Sequence, residues 1–133
     1  MFFSRSGSFF LHVSCAKRTL LLGDTNQGRI ELHKGCIDGT VLFASLLEAA
    51  SLHAALVLVP GHAFVGWETW RGSDAWDYLE TTLIGSHDFA AACQRARTLY
   101  QRFAAEDVAG DDGPIPRVLK LNDLRAQGIW PME

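Results

Sequence analysis

The sequence is poor in cysteine, and the spacing of its cysteines argues against two kinds of site. Its 133 residues contain only Cys15, Cys36 and Cys93, an odd number with wide spacings and no Cys-x-x-Cys pair. A disulfide framework uses an even set, and a structural zinc site needs a fourth ligand and a regular spacing. His33, Cys36 and His62 can be drawn as zinc ligands, but no fourth ligand accompanies them. We therefore predict no metal and no other cofactor, and a reducing cytoplasmic compartment.

The sequence also lacks a basic cluster and a long apolar run. Its 12 lysines and arginines are scattered among 15 acidic residues, for a formal net charge of −3. Phosphate binding needs clustered positive charge, and a transmembrane helix needs about 20 apolar residues. Polar residues interrupt the apolar stretch in residues 1–22, which also lacks a cleavage site for a signal peptide. Neither nucleic acid nor membrane is an expected partner.

The composition is that of one globular domain, with 48% hydrophobic and 20% charged residues. The segment from Cys36 to Ala50 is apolar nearly all round, which predicts a helix buried on most sides. Short apolar or alternating segments then predict an antiparallel meander. Its strands are expected at 55–59, 62–68 and 75–82, with turns at 60–61 and 71–74.

The rest of the chain predicts smaller elements around this meander. Ser86 is expected to cap a helix ending near Phe103, and Asn122 a short helix that stops at Gly128. Strands are predicted at 9–13, 19–22 and 118–121. The predicted fold class is α+β, with a buried helix packed on an antiparallel sheet.

Cys36 is the first candidate for chemistry because it opens the buried helix directly after Gly35. Unpaired N–H groups and the positive end of the helix dipole favour the thiolate, which is the reactive form of cysteine. The glycine permits a sharp turn and close approach of a substrate. The alternative is a buried structural cysteine, which is common.

His62 and Glu80 are the candidates that complete a site with Cys36. His62 follows the Pro60-Gly61 bend, and histidine is the usual base that activates a cysteine. Glu80 lies on the next predicted strand, where a carboxylate across from His62 would orient its imidazole. Asp77 is the rival acid, and strand alternation places the two acids on opposite faces. Taken alone, His62 suits a structural histidine and Glu80 a solvated charge.

These motifs together resemble the core of bacterial transglutaminase-like, papain-related cysteine proteins. The resemblance rests on GCIDGTVLFASLLEAA followed by LVLVPGHAFVGW, and on Leu79-Glu80-Thr81-Thr82 in the place of the acid motif. It extends over residues 27–132, because the segment from Leu124 to Met132 is similar to the end of one bacterial subgroup. Residues 27–133 are therefore predicted as a transglutaminase-like domain, after an atypical segment at 1–26.

The resemblance implies a papain-like core and a Cys–His–acid triad, with Cys36 as nucleophile, His62 as general base and acid, and Glu80 as orienting carboxylate. It implies a cysteine peptidase, amidase or acyl transferase that acts on a peptide or protein substrate through a thioester. The backbone N–H of Cys36 and the side chain of Gln27 are candidate oxyanion donors.

The chain departs from the family in its acid motif, with Glu for Asp and Thr for Pro, and in residues 1–26, which have no counterpart. Family domains bring part of the substrate groove before the nucleophile. Two alternatives therefore stand beside the enzyme: an inactive binding module, and a domain whose groove a partner completes.

Overall fold

The computed structural model describes residues 2–4, 11–13, 19–22, 29–31, 36–106, 109–110 and 113–131. The helices are α1 (Cys36–Ala49), α2 (Phe89–Ala105) and α3 (Leu121–Ala126), and a 3₁₀ turn spans Thr81–Leu83. The strands are β1 (Phe2–Ser4), β2 (Leu11–Val13), β3 (Thr19–Leu22), β4 (Arg29–Glu31), β5 (Ala54–Val59), β6 (His62–Glu68), β7 (Trp76–Leu79), β8 (Ala109–Gly110), β9 (Gly113–Pro114), β10 (Arg117–Lys120) and β11 (Ile129–Pro131). Helices and antiparallel sheets therefore give the predicted α+β class. No helix of the described residues is long and apolar enough to cross a bilayer.

The central feature is an antiparallel four-stranded sheet in the order β10-β5-β6-β7. All six residues of β5 are buried, and alternate residues of the strand pack into two different clusters. Leu56 and Leu58 join a cluster with residues of α1, whereas Val57 and Val59 join one with residues of α2. This period of two explains why β5 is a continuous apolar run: both of its faces are covered.

A second sheet joins the two ends of the described chain, in the order β11-β1-β2-β3-β4. Phe2 pairs with Pro131 and Ser4 with Ile129, so strand pairing ties the atypical segment 1–26 to the C-terminal strand. The predicted strand at 19–22 is observed, and the one predicted from residue 9 is described from Leu11.

Helix α1 packs one face on the sheet and leaves the other open. Cys36, Ile37 and Ala44 are buried, whereas Leu42 and Leu46 are each 57% exposed. The prediction that this helix is buried on most sides is therefore wrong for its outer face, because β5, β6 and the 3₁₀ turn are the only described elements that make extensive contact with it.

Three predicted element ends also differ from the structure. Strand β7 ends at Leu79, and Glu80 is the N-cap of the 3₁₀ turn instead of continuing the strand. Asp88, not Ser86, caps α2, because its carboxylate accepts from the Ala91 backbone N–H at 2.7 Å. Helix α3 starts at Leu121 without a side-chain cap, so Asn122 lies inside it.

Candidate active site

Cys36 is the first residue of α1 and one of the most buried residues of the described chain, at 1% exposure. The Thr40 hydroxyl donates to the Cys36 carbonyl at 2.6 Å, within the first turn of the helix. The thiol therefore lies at the helix terminus where backbone N–H groups lack intrahelical acceptors and the dipole is positive. Gly35, before it, lies outside the described residues.

His62 is placed by the tight turn between β5 and β6. Gly61 has a positive φ of 72°, and Val59 pairs with His62 across the turn. Proline followed by a glycine of positive φ is the pattern of a type II turn. His62 is thereby held at the first position of β6, at one end of this central strand, with 25% of its side chain exposed.

Glu80 lies directly after β7 and is 3% exposed. Its Oε2 is hydrogen-bonded to Nε2 of His62. Its Oε1 accepts from the Thr82 hydroxyl at 2.8 Å and from the Thr82 backbone N–H at 3.2 Å. Both carboxylate oxygens are thus engaged, which fixes the rotamer of Glu80 and the orientation of the imidazole.

His62 connects the thiol to the carboxylate. Its hydrogen bond with Cys36 is the largest cause, and its hydrogen bond with Glu80 the next, of a rise in the pKa of His62 from 6.5 to about 9. Because Nε2 is engaged with Glu80, Nδ1 is the ring nitrogen that remains for Cys36. His62 is therefore expected to be an imidazolium at neutral pH, held between a sulfur and a carboxylate.

The charge on Glu80 is stabilised against its burial. Burial raises the pKa of this carboxyl, but the hydrogen bonds from His62 and Thr82 outweigh it, and the pKa lies below the usual value. At neutral pH, Glu80 is therefore ionised and His62 is protonated. The two side chains form a partly buried ion pair.

Asp77, the rival acid, points to a different partner. Its two carboxylate oxygens accept from Nε and Nη2 of Arg97 at 2.7 and 2.6 Å, and this pairing lowers its pKa. It therefore joins β7 to α2 and does not contact His62. Strand alternation does not account for the separation of the two acids, because β7 ends at Leu79, before Glu80.

Two contacts of the site were not anticipated from the sequence. Thr82 holds Glu80, and Thr81 packs on Gly39 of α1, where an added Cβ would lie 2.7 Å from the Thr81 hydroxyl oxygen. The signal for Thr82 is a hydroxyl residue two positions after a strand-ending acid, which is a common side-chain capping arrangement. The Gly39 contact has no local signal.

The remaining candidates from the sequence are Gln27, a possible oxyanion donor, and the histidine and cysteines not assigned to the triad. Gln27, His33 and Cys15 lie outside the described residues. Cys93 is a buried free cysteine whose pKa is raised, chiefly by burial. Among the described residues, no group of three or more His, Cys, Asp or Glu side chains is arranged to hold a metal ion.

No protein-family model, curated protein or solved structure matches this chain. The chemistry of the site must therefore be inferred from its geometry.

Proposed function

We propose that this chain is a cysteine-dependent hydrolase of amide bonds, or an acyl transferase, of the transglutaminase-like and papain-related kind. One observation carries the proposal: His62 is hydrogen-bonded to Cys36 on one side and to Glu80 on the other. A nucleophile, a base and a group that orients the base form the arrangement that activates cysteine nucleophiles.

In the proposed reaction, the Cys36 thiolate attacks the carbonyl carbon of an amide, and a sulfur–carbon bond forms. The His62 imidazolium gives its proton to the leaving nitrogen as the carbon–nitrogen bond breaks, leaving a thioester on Cys36. His62, now neutral, takes a proton from water or an amine that attacks the thioester. Water gives a carboxylic acid and hydrolysis, whereas an amine gives a new amide. Glu80 keeps the ring oriented and stabilises its protonated form.

The order of the elements supports the family proposal. The nucleophile opens a helix that packs on an antiparallel sheet, the histidine opens a strand, and the acid follows the next strand. This is the order that the transglutaminase-like resemblance implies, with Glu80 in place of the usual aspartate. A peptide or protein is the proposed substrate, no cofactor enters the reaction, and a reducing cytoplasm would keep the thiol free.

The test is selective alkylation of the native protein by iodoacetamide between pH 5 and pH 10, with the modified cysteine located by mass spectrometry. Cys36 is expected to react faster than Cys93 below pH 7, because an imidazolium beside it favours the thiolate. His62→Ala is expected to slow Cys36 at pH 7 severalfold, because it removes the imidazole that is hydrogen-bonded to the thiol. The matched control is His53→Ala, which removes a histidine that pairs with another glutamate.

The burial of Cys36 favours a second candidate, an inactive module that uses the fold to bind a partner. At 1% exposure the sulfur is covered in this structure, and a substrate must displace its cover. The module predicts that Cys36 reacts no faster than Cys93, or only after denaturation, and that Cys36→Ser has no functional effect. Either of the first two results would rule out the catalytic proposal.

A further inference from the structure

A cavity of about 460 Å³ lies beside the His62–Glu80 pair, between the turn after β5 and one face of α2. We call it the α2 cavity. Its walls include His62, Glu80, Arg95, Leu99, Arg102 and Phe103. Binding clefts for small ligands usually measure about 300–1,000 Å³. The α2 cavity is therefore large enough for a substrate group.

Among the described residues, the charges around the α2 cavity leave Arg95 without a counter-ion. His62 pairs with Glu80, and Nε of Arg102 lies 3.3 Å from a Glu106 carboxylate oxygen. Arg95 makes no hydrogen bond or ion pair with any other residue of the described chain. Because Arg95 and Arg102 are seven residues apart on α2, they lie on one helix face, separated by about 10 Å of rise. Leu99 and Phe103 add apolar surface on that same face.

The α2 cavity is one side chain away from the proposed nucleophile. His62 lines the cavity and is also hydrogen-bonded to Cys36. Cys36 itself is not a lining residue, so the imidazole is the side chain that the cavity and the thiol share. A group held there would fix the substrate beside the His62 ring.

We propose that the α2 cavity binds a carboxylate of the acyl substrate, so that the substrate class is a peptide with an acidic side chain next to the amide that Cys36 attacks. This inference rests on the proposed function. Arg95 is the main ligand, because its guanidinium is unpaired and presents the forked donors that match a carboxylate. Arg102 is the second ligand after release from Glu106. Leu99 and Phe103 contact the methylene groups of the acidic side chain.

The first experiment compares two affinity reagents that differ by one charge: bromoacetyl-glutamate α-amide and bromoacetyl-glutamine α-amide. Their intrinsic reactivities are matched against glutathione. The wild-type protein is expected to be alkylated at Cys36 about tenfold faster by the glutamate reagent, the effect of one charge-assisted hydrogen bond. Arg95→Gln is expected to remove this preference, and Arg71→Gln, an equal charge change on the exposed β6–β7 turn, to retain it. Equal rates in the wild type, or a preference that survives Arg95→Gln, would overturn the proposal.

The second experiment separates this inference from the catalytic proposal. N-acetyl-glutamate α-amide and N-acetyl-glutamine α-amide are titrated into ¹⁵N-labelled Cys36→Ser protein, which lacks the proposed nucleophile. Amide shifts around Arg95 and Leu99 with the glutamate ligand alone support the cavity as a carboxylate site, even if Cys36 proves inert in the native enzyme. The absence of such shifts overturns it, and binding without a difference in alkylation rate overturns the assignment to the substrate.

Discussion

Two histidine–glutamate pairs stand at opposite ends of the β5–β6 hairpin. At one end, Nδ1 of His53 lies 2.7 Å from Oε2 of Glu68, and at the other, Nε2 of His62 is hydrogen-bonded to Oε2 of Glu80. In both pairs the carboxylate is nearly buried, at 8% and 3% side-chain exposure, and the histidine is partly exposed, at 34% and 25%. In hydrogen bonding and burial, the two His–Glu pairs are therefore nearly equivalent.

The difference between the two ends is the third group. The second oxygen of Glu68 accepts from the Asp74 backbone N–H at 2.9 Å, and this bond is the main cause of the lowered pKa of Glu68. The His53–Glu68 pair therefore stabilises the β6–β7 turn. At the other end His62 also meets Cys36, which is the largest cause of its raised pKa. A His–Glu pair can thus have a purely structural role. The His62–Glu80 pair is a candidate for catalysis because His62 also contacts the Cys36 thiol.

Replacing each glutamate in turn should separate the two ends most sharply. Glu80→Gln removes the negative charge beside His62, so the pKa of His62 should fall from about 9 by about 1 to 3. The imidazolium would then be lost at a lower pH, and alkylation of Cys36 near pH 7 should slow. NMR titration of the His62 ring protons measures the pKa directly.

The matched variant is Glu68→Gln, which removes an equal charge from the pair at the other end of the hairpin. It should leave the titration of His62 unchanged within error. A His62 pKa that fails to move in Glu80→Gln would show that the carboxylate does not govern the ring. The triad assignment would then lose its third member.

A smaller effect is expected from the glycine that lets the 3₁₀ turn approach α1. A Cβ on Gly39 would lie 2.7 Å from Oγ1 and 3.1 Å from Cβ of Thr81, the residue that follows Glu80. Gly39→Ala gains up to about 1 kcal/mol of helix propensity but overpacks the contact, which typically costs about 1–3 kcal/mol. The 3₁₀ turn should move away from α1, and this displacement should slow Cys36 alkylation severalfold. Urea unfolding should show a modest loss of stability.

Two further variants test whether this effect is local. Thr81→Ala should rescue Gly39→Ala, because the Thr81 hydroxyl is buried without a hydrogen-bond partner and its removal relieves the closest contact. Gly66→Ala would approach Tyr78 at 3.0 Å on the same sheet, and should lower stability without slowing Cys36. Equal slowing by both glycine variants would point to general loosening of the fold.

The central elements could be predicted because their signals are local. The α1 start at Cys36 and the whole of β6 agree with the sequence pattern, and β5 begins one residue earlier than predicted. A helix of 14 residues and a turn with Pro-Gly are specified by their own periodicity and backbone preferences. These three elements already bring Cys36 and His62 to one end of the sheet.

The position of Glu80 depended on tertiary structure that the sequence pattern does not contain. A continued strand register would place Glu80 opposite Phe64, since Val65 pairs with Leu79. The 3₁₀ turn instead ends the strand and brings the carboxylate to His62. The strand predicted to Thr82 is therefore too long, although its acid reaches the expected partner. The α2 cavity could not be predicted from the sequence either, because Arg95 and Arg102 come close to the β5–β6 hairpin only when α2 packs on the sheet.

The smallest expected effect is on the stability of the protein at acidic pH, where the His53–Glu68 and His62–Glu80 pairs should behave alike. Glu80 and Glu68 both have pKa values below their ordinary value of 4.5 in the folded chain. A carboxyl with a depressed folded pKa stabilises the protein above its unfolded pKa and loses that contribution as the pH falls through the folded pKa. The stability advantage of the wild type over Glu80→Gln, and over Glu68→Gln, should therefore shrink between pH 5 and pH 3.

Urea unfolding at pH 5 and pH 3 measures this change, and His62 is protonated throughout that range in the folded chain, so the carboxyls account for it. Asp88→Asn is the control variant, because asparagine retains a side-chain oxygen able to accept from the Ala91 backbone N–H. An advantage over Glu80→Gln that grows on acidification would mean that Glu80 is protonated in the folded chain. A neutral carboxyl could not stabilise an imidazolium, and the His62 end would then be no more than a second structural pair.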